Sequence, residues 1–269
     1  MSLDVRGTTA LITGASSGIG EAIARSLAKA GCKVILVART GDALEKVASE
    51  IRAAGGQAAV VPADLSVATE AQRVADEVTK QHGVPDILVN NAGAGRWLPL
   101  EETTPQDAVA MMALPYFAAF WLSAAVVPAM VKKGRGHIIN LTSPGGWAAV
   151  PGAAGYSAAR AAMRSLDQSL ALELRGTGVG VTLLCPGKVS SPYFANNPGS
   201  EEKIPRVAAL SRTLTPQEVG DAAVRAIQRG QRTVVMPLMM RLFWWTFRVM
   251  PWSVEWLIQA TGWRRTEKR

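Results

Sequence analysis

The amino-acid sequence predicts an α/β protein built on one doubly wound parallel sheet, with helices on both faces and a single domain. Two observations carry this prediction. Short runs rich in Val, Ile and Leu alternate with longer amphipathic stretches over the first 190 residues, and glycines stand where several of those stretches end. A repeated strand-then-helix order implies parallel strands joined by right-handed crossovers. A length of 269 residues suits one such sheet.

The elements follow in order along the chain. The predicted strands are 9–13, 33–38, 58–62, 87–90, 137–141, 179–185 and 233–236, and the predicted helices between them are 19–30, 42–54, 68–81, 105–132 and 155–175. Thr215-Pro216-Gln217-Glu218 is a capping box with proline at the first helical position, so another helix should run to about residue 228. Residues 1–236 then form the main domain, including a loop at about 190–212, and residues 237–269 form a C-terminal extension.

Composition excludes several classes of protein. With 48% hydrophobic and 19% charged residues, the chain is not a disordered one. Cys32 and Cys185 lie far apart, which favours buried thiols over a disulfide, and with only two histidines we expect no metal site. The first residues lack an apolar signal region, so a cytoplasmic setting is expected. The net charge of +8 comes with no nucleic-acid motif, and no nucleic-acid partner is expected.

A glycine-rich turn joins the first strand to the first helix. Its sequence is Thr13-Gly14-Ala15-Ser16-Ser17-Gly18-Ile19-Gly20. Phosphate binding needs open backbone N–H groups at a helix N-terminus, and glycines allow the tight turn and the close approach of a pyrophosphate. This placement predicts a dinucleotide site.

The chain resembles the short-chain dehydrogenase/reductase family from residue 7 to about residue 236. The glycine-rich turn matches the family's Thr-Gly-x-x-x-Gly-x-Gly motif, and Asn90-Asn91-Ala92-Gly93 and Pro186-Gly187-Lys188-Val189 match later motifs in the family's order. The resemblance implies a Rossmann-type fold and a nicotinamide cofactor. It places Asp64 at the adenine, the Pro186 turn beside the nicotinamide, and Ser191 at the carboxamide.

The end of the second strand indicates which nicotinamide cofactor binds. An acid there would accept from the ribose 2′-hydroxyl and repel a 2′-phosphate, but the strand ends Val37-Ala38-Arg39. Arg39 can pair with a phosphate through its planar fork; the alternative is a solvated surface arginine. NADP(H) is therefore favoured over NAD(H). The expected cofactor-binding residues are Gly14, Ser16, Ser17, Gly18, Ile19, Gly20, Arg39, Asp64, Leu65, Asn91, Ala92, Gly93, Tyr156, Arg160, Pro186, Gly187, Val189 and Ser191.

A catalytic group is expected at Tyr156-Ser157-Ala158-Ala159-Arg160, where the family has Tyr-x-x-x-Lys. The spacing of four puts the two ends of this segment on one helix face. By resemblance Tyr156 is the general acid/base, Ser143 holds the substrate oxygen, and Arg160 stabilises a phenolate and contacts the ribose. The alternative for Tyr156 is a buried packing residue.

Two residues depart from the family pattern. Arg160 stands in the lysine position; it supplies a positive charge but does not deprotonate and so cannot join a proton relay. Pro115 stands where an asparagine usually holds a water in that relay, and a proline there should kink the helix. Either the relay has been rebuilt or the proton path has been abandoned.

The C-terminal extension combines aromatic and basic residues. Trp244, Trp245, Trp252, Trp256 and Trp263 are accompanied by six basic and two acidic residues. No uninterrupted apolar stretch of about 20 residues is present, so a spanning helix is not expected. Three interpretations remain: a helix on a membrane surface, a subunit interface, and a lid over an apolar substrate pocket.

The function expected from these residues is NADP(H)-dependent interconversion of a carbonyl and an alcohol, in an apolar small-molecule substrate. The alternative is a catalytically impaired protein of the same fold that binds NADP(H) and serves as the partner of an active subunit. A homo-oligomer, dimer or tetramer, is expected, in the cytoplasm, with peripheral membrane contact if the extension binds there.

Overall fold

The computed structural model describes residues 1–93 and 95–265, which form one parallel sheet between two layers of helices. The strands are β1 Thr9–Thr13, β2 Lys33–Ala38, β3 Gln57–Pro62, β4 Ile87–Asn90, β5 Gly136–Leu141, β6 Val179–Pro186 and β7 Thr233–Met236. The helices are α1 Gly18–Lys29, α2 Gly41–Ala53, α3 Ala68–His82, α4 Pro105–Met112, α5 Ala118–Lys133, α6 Ala154–Glu173, α7 Pro216–Arg229, α8 Leu238–Val249 and α9 Pro251–Thr261. The predicted fold class is confirmed, and every predicted strand agrees within one residue at each end.

At the centre of the sheet, the direction in which successive strands are added reverses. The order is β3-β2-β1-β4-β5-β6-β7, and every pair is parallel. The chain therefore winds outward from β1 to β3, returns to β4 beside β1, and winds outward the other way. Ligands of such sheets bind beyond the carboxyl ends of the strands at this reversal.

Alternate residues of each strand bury into two different cores. In β1, Ile12 packs with apolar residues of α1, α2 and α7, whereas Leu11 packs on the opposite face with residues of α3 and α5. This follows from the two-residue period of a strand. Because both faces are covered, the central strands are largely apolar, and polar exceptions such as His137 and Asn140 in β5 are buried.

The predicted helix over residues 105–132 is two helices. Between α4 and α5, Ala113–Phe117 forms a wider turn in which Leu114 has φ −126° and ψ 111°, outside the helical region. Pro115 has no N–H to continue the helix, so the expected kink at this proline is confirmed while the continuous helix is wrong. By length and composition alone Pro105–Lys133 could cross a membrane, but α5 packs on α3, β4 and β5 as part of the core.

The capping box before α7 is confirmed. Thr215 Oγ1 accepts from the Glu218 N–H at 3.2 Å, and Glu218 Oε2 accepts from the Thr215 N–H at 2.8 Å. After α7 and β7, the chain turns at Pro237 into α8 and α9. These two helices of the extension pack against each other, and α8 packs on β7.

A buried histidine in β5 makes the stability of the fold depend on pH. His137 Nε2 lies 2.8 Å from Thr182 Oγ1 of β6. Burial, aided by the positive amino group of the chain's first residue, lowers the pKa of His137 to about 4 from the ordinary 6.5. The unfolded chain therefore binds the proton more tightly, and this part of the stability is present above pH 6.5 and is lost as the pH falls through 6.5 toward 4.

We predict that the free energy of unfolding falls by about 2 kcal/mol more in the parent than in His137→Gln when the pH is lowered from 7 to 5. Urea unfolding followed by tryptophan fluorescence at the two pH values measures the difference. Equal losses in the two proteins would contradict a buried neutral imidazole at this position.

Candidate functional site

A cavity of about 730 Å³ lies beyond the carboxyl ends of the strands, at the reversal between β1 and β4. It brings nearly all of the expected site residues together. Those that line it are Gly14, Ser16, Ser17, Gly18, Ile19, Arg39, Asp64, Leu65, Asn91, Ala92, Gly93, Ser143, Tyr156, Arg160, Pro186, Gly187, Val189 and Ser191. Gly20 is the exception, because it is buried behind the glycine-rich turn.

The glycine-rich turn forms a cradle at the N-terminus of α1. No side chain caps this helix, since the N-cap Ser17 makes no side-chain hydrogen bond to it, so the first N–H groups remain available to an anion. Gly14 and Gly18 have positive φ, at 65° and 60°. A Cβ on Gly20 would lie 2.2 Å from Gly14 O, so only glycine fits there.

Hydrogen bonds from Asn91 hold the cradle against the end of β4. Asn91 Nδ2 donates to Thr13 O at 2.9 Å and to Gly14 O at 3.2 Å. Thr13 Oγ1 accepts from the backbone N–H of Asn91 at 3.0 Å and of Ala92 at 2.9 Å, and donates to Val89 O at 3.1 Å. The turns after β1 and β4 are thereby fixed to each other.

Arg39 and Asp64 lie at the end of the cavity that borders β2 and β3. The Arg39 side chain is exposed, and within the described parts of the chain it forms no ion pair. Ser66 donates to Asp64 Oδ1 through its hydroxyl at 2.7 Å and its N–H at 3.0 Å. These bonds, with a smaller contribution from the Arg39 charge, lower the pKa of Asp64 below its usual value. This end thus offers a carboxylate acceptor beside a cation.

Ser143 and Tyr156 meet across Gly145 in the middle of the cavity. Ser143 Oγ accepts from the Gly145 N–H at 3.3 Å, which leaves the serine proton free to donate. A Cβ on Gly145 would lie 3.2 Å from Tyr156 Cε1, so the phenol packs closely over this turn. Among the described residues the Tyr156 hydroxyl has no hydrogen-bond partner, although its ring is buried. It is therefore available to a ligand.

Arg160 is a buried cation without a carboxylate partner in the described residues. Only 6% of it is exposed, Nε has no hydrogen-bond partner, and Nη1 makes one long contact, 3.5 Å, with Leu141 O. The guanidinium carbon lies 5.2 Å from the centre of the Tyr156 ring. A Cβ on Gly93 would lie 2.9 Å from Nη2, so the guanidinium rests on the backbone of that glycine. Donors of this kind, facing a cavity, fit ligand hydroxyls.

Pro115 contributes no polar atom to the site. It is buried in the kink between α4 and α5, and its neighbour Leu114 reaches the cavity instead. The side of the cavity where the family pattern has an asparagine is therefore apolar. Both departures seen in the sequence are present in the folded site.

An aromatic pair beside Tyr156 was not anticipated from the sequence. The Tyr193 hydroxyl donates to Gly95 O at 2.8 Å and accepts from Trp97 Nε1 at 3.2 Å. The Trp97 ring centre lies 5.1 Å from that of Tyr156. Burial raises the pKa of Tyr193 well above its ordinary value. Its hydroxyl is thus committed to hydrogen bonds and keeps its proton.

The helices α8 and α9 form a roof over the cavity. Their residues that line it are Met240, Phe243, Val254, Leu257 and Ile258. Trp244 reaches Trp147, with ring centres 6.3 Å apart, and Arg265 pairs with Glu101 at 2.8 Å. The geometry of the described residues thus agrees with the interpretation of the extension as a lid. Residues 266–269, which carry part of the positive charge expected for the extension, lie outside the described residues.

No metal centre is evident in the part of the chain that the structure describes. There, no group of three or more His, Cys, Asp and Glu side chains is placed to hold an ion. Cys32 and Cys185 are both buried and free.

Comparison with protein families identifies the family to which this chain belongs. The family model for short chain dehydrogenases matches residues 8–202, which hold the glycine-rich turn, Ser143, Tyr156 and the turn after β6. The chain belongs to the short-chain dehydrogenase family.

The similarity of this short-chain dehydrogenase to known proteins extends beyond residues 8–202. A dehydrogenase/reductase SDR family protein 7-like of Anopheles gambiae is 31% identical over 98% of this chain and 84% of its own length. A fatty acyl-CoA reductase of Acinetobacter baylyi is 33% identical over 87% and 78%. The structure of a short-chain dehydrogenase from Sphingobium yanoikuyae in complex with NADPH is 27% identical, with a TM-score of 0.80 over 97% of this chain and 99% of that one. A metagenomic short-chain oxidoreductase in complex with NADP is 36% identical, with a TM-score of 0.74 over 87% and 98%.

We predict that Gly20→Ala weakens NADPH binding more than about tenfold, because the new Cβ would displace Gly14 O and Asn91 Nδ2 from the cradle. Gly41→Ala is the matched control: it lies in the first turn of another helix, and its Cβ would only touch Pro62 at 3.4 Å. Titration of cofactor fluorescence gives both dissociation constants. A normal constant in Gly20→Ala would show that the cradle does not hold the phosphates.

Proposed function

We propose that this short-chain dehydrogenase is an NADP(H)-dependent oxidoreductase that interconverts a carbonyl and an alcohol in an apolar substrate. The observation that carries the proposal is a cavity in which an exposed arginine at the β2 end, an open helix N-terminus and the Ser143–Tyr156 pair face the same space. Along a bound NADP(H) these three features would meet, in turn, the 2′-phosphate, the pyrophosphate and the nicotinamide.

The residues present fit NADP(H). The cradle supplies backbone donors for the pyrophosphate, Arg39 supplies the charge for a 2′-phosphate, and Asp64 supplies an acceptor for the adenine. Arg160, with donors left over inside the cavity, suits the ribose hydroxyls. Two neighbours of known structure were solved with NADP and NADPH, which supports the same choice of cofactor.

In the reducing direction, bound NADPH supplies a hydride to the carbonyl carbon. Ser143 donates a hydrogen bond to the carbonyl oxygen, and Tyr156 transfers its proton to that oxygen, so that the alcohol forms and a phenolate remains. The positive charge of Arg160 stabilises this phenolate. Because arginine holds no proton that it can release, the phenolate recovers its proton from water that enters the cavity. In the oxidising direction the same groups act in reverse.

The part of the cavity remote from the cradle favours an apolar substrate. Trp97, Val150, Phe194 and Ile204 line it together with the inner side of α8 and α9. A buried apolar wall stabilises apolar substrates by about 25 cal/mol per Å² removed from water. One relative is named a fatty acyl-CoA reductase, which is consistent with a substrate of this character.

The alternative is a protein that binds NADP(H) without turnover and serves as partner to an active subunit. Arg160 and Pro115 favour this alternative because they remove the family's proton relay. The free hydroxyl of Tyr156 and the free proton of Ser143 argue against it. NADPH oxidation by the purified protein, measured at 340 nm against a panel of aliphatic and aromatic carbonyls, separates the two.

We also propose a cytoplasmic homo-oligomer, dimer or tetramer. Free, buried Cys32 and Cys185 suit a reducing compartment. Exposed Phe120 of α5 and Leu172 of α6 offer an apolar surface that a second copy of the chain could cover. We also propose contact of the C-terminal extension with a membrane surface, because apolar residues on the outer side of the extension are exposed.

We predict that Tyr156→Phe lowers kcat by about 10²–10⁴-fold and leaves the NADPH dissociation constant nearly unchanged, since only the proton carrier is lost. Tyr193→Phe is the comparator, because its hydroxyl lies in the same cavity but is held by Gly95 and Trp97. Steady-state rates and cofactor titration are measured for both. If Tyr193→Phe abolishes turnover and Tyr156→Phe does not, the acid/base has been assigned to the wrong tyrosine.

We predict that Arg39→Asp weakens NADPH binding by about 10- to 100-fold, the value of one charge-assisted hydrogen bond to a phosphate, while NADH binds as well or better. Arg175→Asp, on an exposed arginine outside the cavity, makes the same change in net charge. Fluorescence titration with both cofactors gives the preference. An unchanged ratio of the two affinities in Arg39→Asp would remove Arg39 from the cofactor site.

A further inference from the structure

The extension carries exposed apolar residues on the side that faces away from the cavity. Among the described residues, eight of the sixteen large exposed hydrophobic side chains lie between Leu238 and Trp256. We call six of those in α8 and α9 the outer face: Leu238, Leu242, Trp245, Val249, Trp252 and Trp256. An apolar patch of this density calls for a physical partner.

The helical period separates the outer face from the residues that line the cavity. In α8, positions 238, 242, 245 and 249 repeat at intervals of four and three residues and so share one side, whereas the cavity residues Met240 and Phe243 share the opposite side. In α9, Trp252 and Trp256 are four residues apart, and Val254, Leu257 and Ile258 face the cavity. Both helices are therefore apolar on two sides.

Arginines border the outer face of α8. Arg241 and Arg248, both exposed, are seven residues apart and so lie on one edge of the helix, between the outer face and the cavity side. The Arg248 guanidinium lies 5.1 Å from the Trp244 ring centre and 5.8 Å from that of Trp245. In α8 there is no acidic residue, and α9 has only Glu255. An apolar strip with a basic edge matches the boundary between acyl chains and anionic headgroups.

The two helices are too short to cross a bilayer. At 12 and 11 residues each extends less than about 20 Å, against a hydrocarbon thickness of about 30 Å. The break between Val249 and Pro251 separates them. In contact with a bilayer, helices too short to span it would lie in the plane of its interface.

We propose that the outer face seats this protein on an anionic phospholipid bilayer, and that its apolar substrate passes from the bilayer into the cavity at the α8–α9 roof. The second part rests on the proposed function. The same two helices form the wall of the cavity and the outer face, so an apolar molecule dissolved in acyl chains lies one helix layer from the site. The net charge of +8 draws the chain toward an anionic surface.

A second copy of the chain fits the outer face less well. A two-fold contact through this face would join the same surface patch of both copies. Four arginines, Arg241 and Arg248 of each copy, would then border one apolar contact, and Glu255 is the only acid that α8 and α9 offer to offset them. A bilayer supplies anionic partners at the edge and acyl chains at the centre.

The first experiment is flotation of the full chain with phosphatidylcholine vesicles, with and without phosphatidylglycerol, at low and high salt. The protein should float with the anionic vesicles at low salt. Trp252→Gln with Trp256→Gln should reduce the bound fraction more than about tenfold. Leu100→Gln with Val109→Gln, two side chains exposed to a similar degree outside the extension, should not reduce it.

Arginine variants test the electrostatic contribution. Arg241→Gln with Arg248→Gln should lower the partition coefficient on anionic vesicles by about fivefold per arginine and have little effect on neutral vesicles. Arg175→Gln with Arg229→Gln removes the same charge from exposed positions outside the extension and should have a much smaller effect. If both pairs of variants lose the same fraction of the partition coefficient, only the net charge of the protein matters. That result would overturn the basic edge as part of the membrane-binding site.

Turnover then tests passage of the substrate. The tryptophan pair variant should turn over a short, water-soluble carbonyl at the parent rate and lose rate on a long-chain carbonyl held in anionic vesicles. Absence of the parent from the floated fraction at low salt overturns membrane binding, whatever its activity. If light scattering shows that the tryptophan pair variant halves the mass of the particle, the outer face is a subunit contact. No turnover of either substrate, with normal flotation, contradicts the proposed function and leaves membrane binding standing.

Discussion

The hydrogen bonds between Thr13 and Asn91 are the constraint on which the rest of the site depends. They join the turn after β1 to the turn after β4, the two strands between which the chain reverses its winding direction. One turn carries the cradle at the start of α1, and the other carries Gly93, on which Arg160 rests. The position of the glycine-rich cradle and the position of the buried cation are therefore set by the same few bonds. Parallel strands bring the two turns to one edge, and Asn91 fixes their separation.

The sequence predicted this edge well because its determinants are local. Buried strands show as apolar runs, and the positive φ of Gly14 and Gly18 and the crowding at Gly20 act within a few residues. The strands and the lining of the cavity next to the glycine-rich turn could be predicted for that reason. The kink at Pro115 could likewise be predicted, because the missing N–H is a property of the proline itself.

The aromatic part of the cavity around Tyr156 could not be predicted from the sequence in the same way. Trp97 and Tyr193 are 96 residues apart, and only the folded chain brings Trp97 Nε1 to the Tyr193 hydroxyl. The extension showed three compatible interpretations, because an apolar strip has the same sequence pattern whether it covers a pocket, a subunit or lipid. Its inner side is assigned by contact with the cavity, which depends on the direction in which α8 leaves β7.

The two unusual features of this site, the buried Arg160 and the roof, are physically connected. Transfer of a guanidinium from water into a closed interior costs several kcal/mol unless polar partners replace the water, and the described residues provide only the long contact to Leu141 O and the face of the Tyr156 ring. Arg160 is only 6% exposed, so little water surrounds its guanidinium; this raises the cost and also strengthens the attraction between Arg160 and any negative charge that develops on Tyr156. A lysine could share its proton with a relay of water; an arginine acts only as a fixed charge, and a fixed charge has most effect where water is excluded. A cavity roof made of apolar side chains therefore suits arginine at position 160.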